Sequence, residues 1–202
     1  MRRIAYILLF SLLLVSCGTR SGYFKMEGRF LHMNQGELYV YSPDGGINGL
    51  DTIKIEAGRF SYEKPCSKPS TLIIIFPNYS SQPIFAESGE AVDIKADASH
   101  LKEMEVEGTK DNELMTKFRK QIASVSPPEE VKYAITFIND HPESPVSVYL
   151  LNRYFIQTES PDYSQAAKLL RVLMKEQPEN TDLGRLQRQL TELGSLPVGS
   201  KM

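Results

Sequence analysis

The chain has 202 residues, of which 41% are hydrophobic, 24% charged and 9% aromatic, and these fractions are typical of a globular protein. Its 23 basic and 25 acidic residues give a formal charge of −2, which argues against nucleic acid as a partner. Two cysteines are too few for a disulfide framework or a four-thiolate zinc site. No stretch reaches the roughly 18 apolar residues that a membrane-spanning helix needs.

The first 16 residues have the organisation of a bacterial lipoprotein signal peptide. Arg2 and Arg3 precede an apolar run, Ile4–Val15, and the segment Leu14–Cys17 resembles a lipobox. Signal peptidase would cut before Cys17, whose sulfur would carry a diacylglyceryl group, and several acyl chains give stable anchoring. The alternative is a plain secretory signal with a chance cysteine near its end.

The lipobox resemblance also implies a location. Residues 17–22 are the lipidated cysteine and a short tether, in which Thr19 stands where an inner-membrane retention signal would have Asp. The tether lacks the acidic run that some lipoproteins use for surface export, so we expect the folded part to face the periplasm at the outer membrane. The expected partners are the membrane, through the anchor, and a periplasmic protein. The oligomeric state is left open.

Residues 23–108 show the two-residue alternation of β-strands. Apolar and polar side chains alternate at Glu37–Tyr41 and again at Ile53–Glu56, and Ala57-Gly58 indicates a two-residue hairpin turn. The apolar run Thr71–Phe76 is typical of a strand buried on both faces. Seven or eight short strands separated by turns predict an antiparallel β-sandwich domain.

Residues 109–195 have helical periodicity instead. Ser126, Ser144 and Ser160, each followed by proline, and Thr181 predict helix starts. The pattern predicts a helical domain, an array of four to five short helices, followed by a tail at 196–202. The fold class is therefore α+β. The regular spacing of the Ser-Pro pairs leaves open a helical repeat of the tetratricopeptide kind.

Several segments together resemble one known family. They are Tyr23–Gly28, Leu50–Ile53, Gly58–Ser61, Pro83–Glu90 and Val106–Glu113. The set resembles the N-terminal domain of unknown function (family 4369) of lipid-anchored, thioredoxin-like disulfide oxidoreductases. The helical segment Phe137–Leu151 resembles the connector of the same proteins.

The resemblance implies no redox activity for this chain. In those relatives the connector leads into a thioredoxin-like domain with a Cys-x-x-Cys pair, whereas this sequence contains no such pair and ends at Leu196–Met202, where that domain would begin. Two expectations follow. The protein is a non-catalytic envelope lipoprotein that acts as a binding or accessory module, or it is the accessory part of a thiol–disulfide oxidoreductase whose redox domain is missing from this chain.

Few side chains suggest chemistry of their own. Cys66 lies between Lys64 and Lys68, which would lower its pKa and make the thiol reactive, or it is an incidental small residue in a loop. Tyr39 and Tyr41 share one strand face, where they would stack on a sugar ring or a peptide, or pack across strands.

Metal binding has weak support in the sequence. A strand carrying Glu103, Glu105 and Glu107 on one face would present either calcium ligands or a solvated edge. Asp97 lies three residues before His100, and otherwise no partner stands at metal-ligand spacing from any histidine, at positions 32, 100 and 141. We therefore expect no metal, no other cofactor and no catalytic residue.

Overall fold

The computed structural model describes residues 19–195, in which eight strands precede five α-helices. The strands are β1 (Tyr23–Leu31), β2 (Gln35–Tyr41), β3 (Leu50–Glu56), β4 (Arg59–Pro65), β5 (Ser70–Ile75), β6 (Ser81–Ala86), β7 (Ala91–Asp97) and β8 (Glu105–Glu107). The helices are α1 (Lys110–Ile122), α2 (Pro127–Asp140), α3 (Pro145–Leu151), α4 (Tyr163–Glu176) and α5 (Thr181–Ser195). A 3₁₀ turn at Leu101–Glu103 precedes β8, and a π turn at Asn152–Ile156 extends α3. The predicted α+β class, with strands followed by four to five helices, is confirmed.

The predicted signal peptide, Cys17 and the tail lie outside the described residues. Within residues 19–195, no helix is both long enough and apolar enough to cross a bilayer.

All eight strands belong to one curled sheet with the order β6-β5-β2-β3-β4-β1-β7-β8. Neighbouring strands run antiparallel except β1 and β7, which are parallel and pair from Lys25 with Ala91 onward. Strands β3 and β4 pair only at Glu56 and Arg59, so the sheet bends at their hairpin into two four-stranded halves. The expected antiparallel sandwich therefore differs in one respect: its two layers are halves of a single mixed sheet that this hairpin keeps joined.

The hairpin itself has the predicted two-residue turn. Ala57 and Gly58 have φ angles of 51° and 71°, the left-handed values that a type I′ turn requires at both positions. The carbonyl of Gly58 accepts a 2.8 Å hydrogen bond from the backbone N–H of Phe30, which ties the turn to the end of β1. A Cβ at position 58 would lie 3.1 Å from the Phe30 carbonyl oxygen, so glycine also fits the close approach.

Side chains from every strand meet in one core inside the curled sheet. Those fully shielded from solvent include Met26, Leu38, Val40, Ile84, Ile94 and Val106. The predicted run on β5 is buried at three successive positions, Leu72, Ile73 and Ile74, because the helices cover part of the outer face of this half of the sheet. On β6, Ile84 joins the sheet core whereas Phe85 joins a second core formed by the helices. Strand β6 therefore contributes to both cores.

The helix starts follow the sequence signals with two exceptions. Helix α2 begins at Ser126, whose backbone N–H and hydroxyl both donate to Glu129 Oε2, at 3.1 and 2.7 Å. Helix α4 does not start from Ser160, because Asp162 caps it by accepting the N–H of Gln165 at 2.9 Å. Helix α5 begins at Thr181, but the side chain that caps it is Asn180, which accepts the N–H of Asp182 at 3.0 Å.

Helix α1 lies against both free edges of the sheet. On edge strand β6, the N–H of Phe85 donates to Asn112 Oδ1 at 3.0 Å, and Asn112 Nδ2 donates to the Phe85 carbonyl at 2.7 Å. On edge strand β8, the N–H of Val106 donates to Thr116 Oγ1 at 2.9 Å, and that hydroxyl donates to the Val106 carbonyl at 3.0 Å. Each side chain thus replaces the missing neighbouring strand at one residue.

A third side chain of the same helix continues this contact. Arg119 Nε donates to the carbonyl of Met104, just before β8, at 2.9 Å. Asn112, Thr116 and Arg119 are all buried, and their spacing of four and three residues places them on one face of the helix. We call these three residues the edge-capping stripe.

Replacing Asn112 by leucine should destabilise the protein strongly. The change leaves the buried N–H and C=O of Phe85 without partners, and each such group costs about 1–3 kcal/mol. We expect the free energy of unfolding, measured by urea denaturation, to fall by about 2–6 kcal/mol.

The matched control is Asn139→Leu on α2, an exposed asparagine whose Nδ2 donates to the Ile135 carbonyl within its own helix. Its effect should stay within about 0.5 kcal/mol. Equal urea midpoints for the two variants would show that the edge-capping stripe does not stabilise the sheet.

Candidate functional site

A cleft of about 920 Å³ lies where the sheet meets the helices. Tyr41 and Ile73 line it from strands β2 and β5, Tyr149 and Arg153 from α3 and the π turn, and Arg185 from α5. We call it the junction cleft. Its position follows from helix α1, which holds the helical array against strand β6 and leaves the outer face beside β5 only partly covered.

Three tyrosines line the junction cleft. Tyr41 is 37% exposed and Tyr79 is 91% exposed, whereas Tyr149 is half-buried with its ring edge-on to Phe85 at a centroid distance of 6.4 Å. Burial raises the pKa of Tyr149, and the positive charge of Arg153 acts in the opposite direction. The Tyr149 hydroxyl is therefore protonated at neutral pH and can donate a hydrogen bond to a ligand.

The remaining walls carry amide and charged groups. Asn152, Gln157 and Gln189 line the cleft, and each amide can both donate and accept hydrogen bonds. Asp182 and Arg185 also line it and form an ion pair at 3.0 Å. The lining contains neither histidine nor cysteine, the side chains that most often act as general bases or thiol nucleophiles. Such a surface is suited to holding a polar ligand.

The two tyrosines singled out in the sequence differ in their surroundings. Both project from the exposed face of β2, where Tyr39 is 39% exposed, but only Tyr41 lines the junction cleft. The two-residue spacing that places them on one face also separates them along the strand, and Tyr41 lies nearer to the helices.

Cys66 occupies the predicted loop, but its thiol is buried, with 7% of the residue exposed. It lies against a small cavity of about 50 Å³ and donates to the Lys68 carbonyl at 3.3 Å. Of the two alternatives for Cys66, the one in which the flanking lysines lower its pKa is wrong: burial raises the pKa, and the charges of Glu87 and Asp44 act in the same direction.

The flanking lysines are bound elsewhere. Lys64 Nζ lies 2.7 Å from Asp51 Oδ2, and Lys68 Nζ donates to the Asp44 carbonyl at 3.2 Å. Their charges are therefore directed away from the thiol, which explains why the local sequence was misleading.

Two of the histidines meet at one carboxylate. His32 Nδ1 lies 2.9 Å from Asp97 Oδ1, and His100 Nδ1 lies 3.8 Å from Asp97 Oδ2. The parallel pairing of β1 with β7 brings His32 to this point from 65 residues away, which the sequence did not reveal. Hydrogen bonds from Ser99 and His32 hold the pKa of Asp97 well below its usual range. The third histidine, His141, caps the C-terminus of α2.

The three glutamates do not form one cluster. Glu103 belongs to the 3₁₀ turn, whereas Glu105 pairs with Lys120 and Glu107 lies 2.9 Å from Lys95 Nζ. Across residues 19–195, no group of three or more His, Cys, Asp or Glu side chains is arranged to hold a metal ion.

Sequence reasoning missed most of the junction cleft. Tyr149 belongs to the apolar face of a predicted helix, and its pattern indicates only a core position. Arg153 and Arg185 are single cations on helical segments, with no local motif around them. These residues converge only through helix packing, so no signal in the sequence could have grouped them.

The thiol of Cys66 should react slowly with iodoacetamide. In the Cys17→Ser chain it is the only thiol, and because burial raises its pKa, the thiolate is scarcer in the folded chain than in the unfolded chain at the same pH. We expect alkylation at pH 8, followed by mass spectrometry, to be at least about tenfold slower than in the same chain unfolded in urea. Equal rates in the folded and unfolded chains would contradict the buried position.

No curated protein matches the chain. Residues 24–115 match the model of a family described as a domain of unknown function (DUF4369). The matched segment runs from β1 through β8 into α1 and includes Asn112, so it contains both sheet edges and the first residue that caps them. This match confirms the predicted resemblance of the N-terminal part of the chain to that domain of unknown function.

Proposed function

We propose that this protein is a lipid-anchored envelope protein that binds a small polar ligand in the junction cleft without transforming it. The observation that supports the proposal is the cleft itself, about 920 Å³ in volume and lined by tyrosines, amides and charged groups. Ligand sites favour junctions between structural units and combine aromatic walls with a few polar groups. Tyrosine rings offer flat apolar surfaces, and the amides match the hydroxyl or amide groups of a saccharide or a short peptide.

The anchor is proposed from the sequence. Lipidation of Cys17 after removal of residues 1–16 would leave residues 18–22 as the link to β1, which begins at Tyr23. Five extended residues span at most about 18 Å, so the folded part would stay close to the bilayer. We place it at the periplasmic face of the outer membrane, where the sequence Gly18-Thr19 favours sorting.

A second candidate function is the accessory part of a thiol–disulfide oxidoreductase whose redox domain is missing from this chain. The resemblance of Phe137–Leu151 to the helical connector of such enzymes favours it. In that case the junction cleft would face another part of the same protein or its substrate.

Binding in the cleft can be tested without knowing the natural ligand. Protein-observed NMR with galactose, N-acetylglucosamine and diglycine should give shift changes that cluster at Tyr41, Tyr149 and Asn152. Tyr41→Ser should weaken that binding at least about fivefold, because it removes one aromatic wall.

The matched control is Tyr39→Ser, which removes an equally exposed tyrosine from the same strand face outside the cleft. It should leave binding unchanged. Shift changes scattered over the surface, or equal losses in the two variants, would count against the cleft as the binding site.

The anchor predicts a specific mass. Intact mass spectrometry of the polypeptide from the membrane fraction should give residues 17–202 plus acyl chains, and labelled palmitate should be incorporated. Cys17→Ser should abolish the label, whereas Cys66→Ser should retain it. Labelling of the Cys17→Ser chain would refute the anchor, and a mass larger by about 100–150 residues would favour the oxidoreductase alternative.

A further inference from the structure

A smaller pocket opens from the junction cleft towards helix α1. It has a volume of about 130 Å³ and shares Gln82, Lys102, Tyr149 and Arg153 with the cleft. A water molecule occupies about 30 Å³ in the liquid, so this space is enough for one small polar group and a few waters. We call it the inner pocket.

Arg119 of the edge-capping stripe lines the inner pocket with only 3% of the residue exposed. Its guanidinium donates to three neutral oxygens: the Met104 carbonyl at 2.9 Å, Thr116 Oγ1 at 3.1 Å and Gln82 Oε1 at 3.5 Å. Three of its five N–H groups are used in this way. Burial lowers the pKa of Arg119 to about 10, so the side chain still carries its charge at neutral pH.

The charge of Arg119 has no counter-ion nearby. Within the part of the chain that the structure describes, no carboxylate lies within 4 Å of its guanidinium, and the same holds for Lys102 and Arg153. The one acidic residue on the pocket wall is Glu130, whose Oε2 accepts a 3.0 Å hydrogen bond from the Tyr154 hydroxyl. Three positive charges therefore face one negative charge across the inner pocket.

This imbalance has a physical consequence. A buried charge without a counter-ion is costly, and an anion that enters the pocket would remove that cost while forming charge-assisted hydrogen bonds. The planar guanidinium fits a carboxylate, which can accept two parallel N–H bonds. Lys102 and Arg153 are exposed, and they would attract the same anion from the cleft side.

We propose that the inner pocket is a carboxylate site, in which Arg119, with Lys102 and Arg153, binds the acid group of a ligand whose remainder occupies the junction cleft. The inference rests on the proposed binding function of the cleft and adds the chemical class of its ligand. The acid group has two sources that share this chemistry, a free small acid and the carboxylate of a larger polar molecule such as a sugar acid.

The test compares acids with a neutral counterpart on the full chain in detergent micelles. Titrations with sodium acetate, galacturonate and galactose are followed by ¹H–¹⁵N NMR. Acetate should shift the signals of Gln82, Lys102 and Arg119, and galacturonate should bind at least tenfold more tightly than galactose. Galacturonate binding more tightly than acetate would identify the larger acid as the source, whereas equal affinities would identify the free small acid.

Substitutions distinguish loss of ligand binding from loss of folding. The double variant Lys102→Gln/Arg153→Gln changes only exposed side chains, and it should bind acetate and galacturonate at least tenfold more weakly. The control is Lys117→Gln on the exposed face of α1, which should leave both affinities unchanged. Arg119→Lys retains the charge but loses the planar pair of donors. This variant should bind acetate more weakly than the wild type. Its thermal unfolding midpoint, measured in parallel, verifies that it is folded.

Each outcome distinguishes this inference from the proposed function. Acetate shifts that avoid the inner pocket, or equal acetate affinity in the wild type and the double variant, would overturn the carboxylate site even if neutral fragments map to the junction cleft. Acetate binding at Arg119 with no neutral fragment in the cleft would support the carboxylate site and refute the proposed function.

Discussion

The arrangement of the whole molecule depends on how helix α1 closes the two edges of one bent sheet. Edge strands expose N–H and C=O groups that invite pairing with other chains, and α1 covers them with side chains four and three residues apart. Asn112 and Thr116 each bind both backbone groups of one edge residue. The same helix also fixes the helical array, because Asp111 accepts a 2.6 Å hydrogen bond from Ser144, the N-cap of α3.

Strand β6 connects the core of the sheet to the core of the helices. Its successive residues Ile84 and Phe85 are buried in different cores, so the two cores share one strand and cannot move independently without exposing apolar surface. Phe85 in turn contacts Tyr149 on the wall of the junction cleft. One wall of the cleft is therefore packed directly on the strand that joins the two cores. Arg119 links the two roles, since it caps one sheet edge and lines the inner pocket.

Much of the fold could be predicted from the sequence because it depends on contacts between near neighbours. Alternation at Leu38 and Val40 reports burial on one strand face, and both side chains are fully shielded. The turn at Ala57-Gly58 and the helix start at Ser126 are set by backbone angles and by hydrogen bonds within a few residues. Predictions of such local features were wrong only in detail. For example, Asp162 and not Ser160 caps α4, because two capping residues compete within one turn.

The amino-acid sequence by itself determined the strand and helix pattern, the α+β class and the resemblance of the N-terminal part to a domain of unknown function. The tertiary structure alone decided which of two similar tyrosines faces the cleft, since Tyr39 and Tyr41 have the same local pattern. It also decided the state of Cys66, because burial of the thiol raises its pKa and Lys64 pairs with Asp51 on another strand. Local periodicity follows from backbone geometry, whereas electrostatics and site composition depend on residues that only the folded chain brings together.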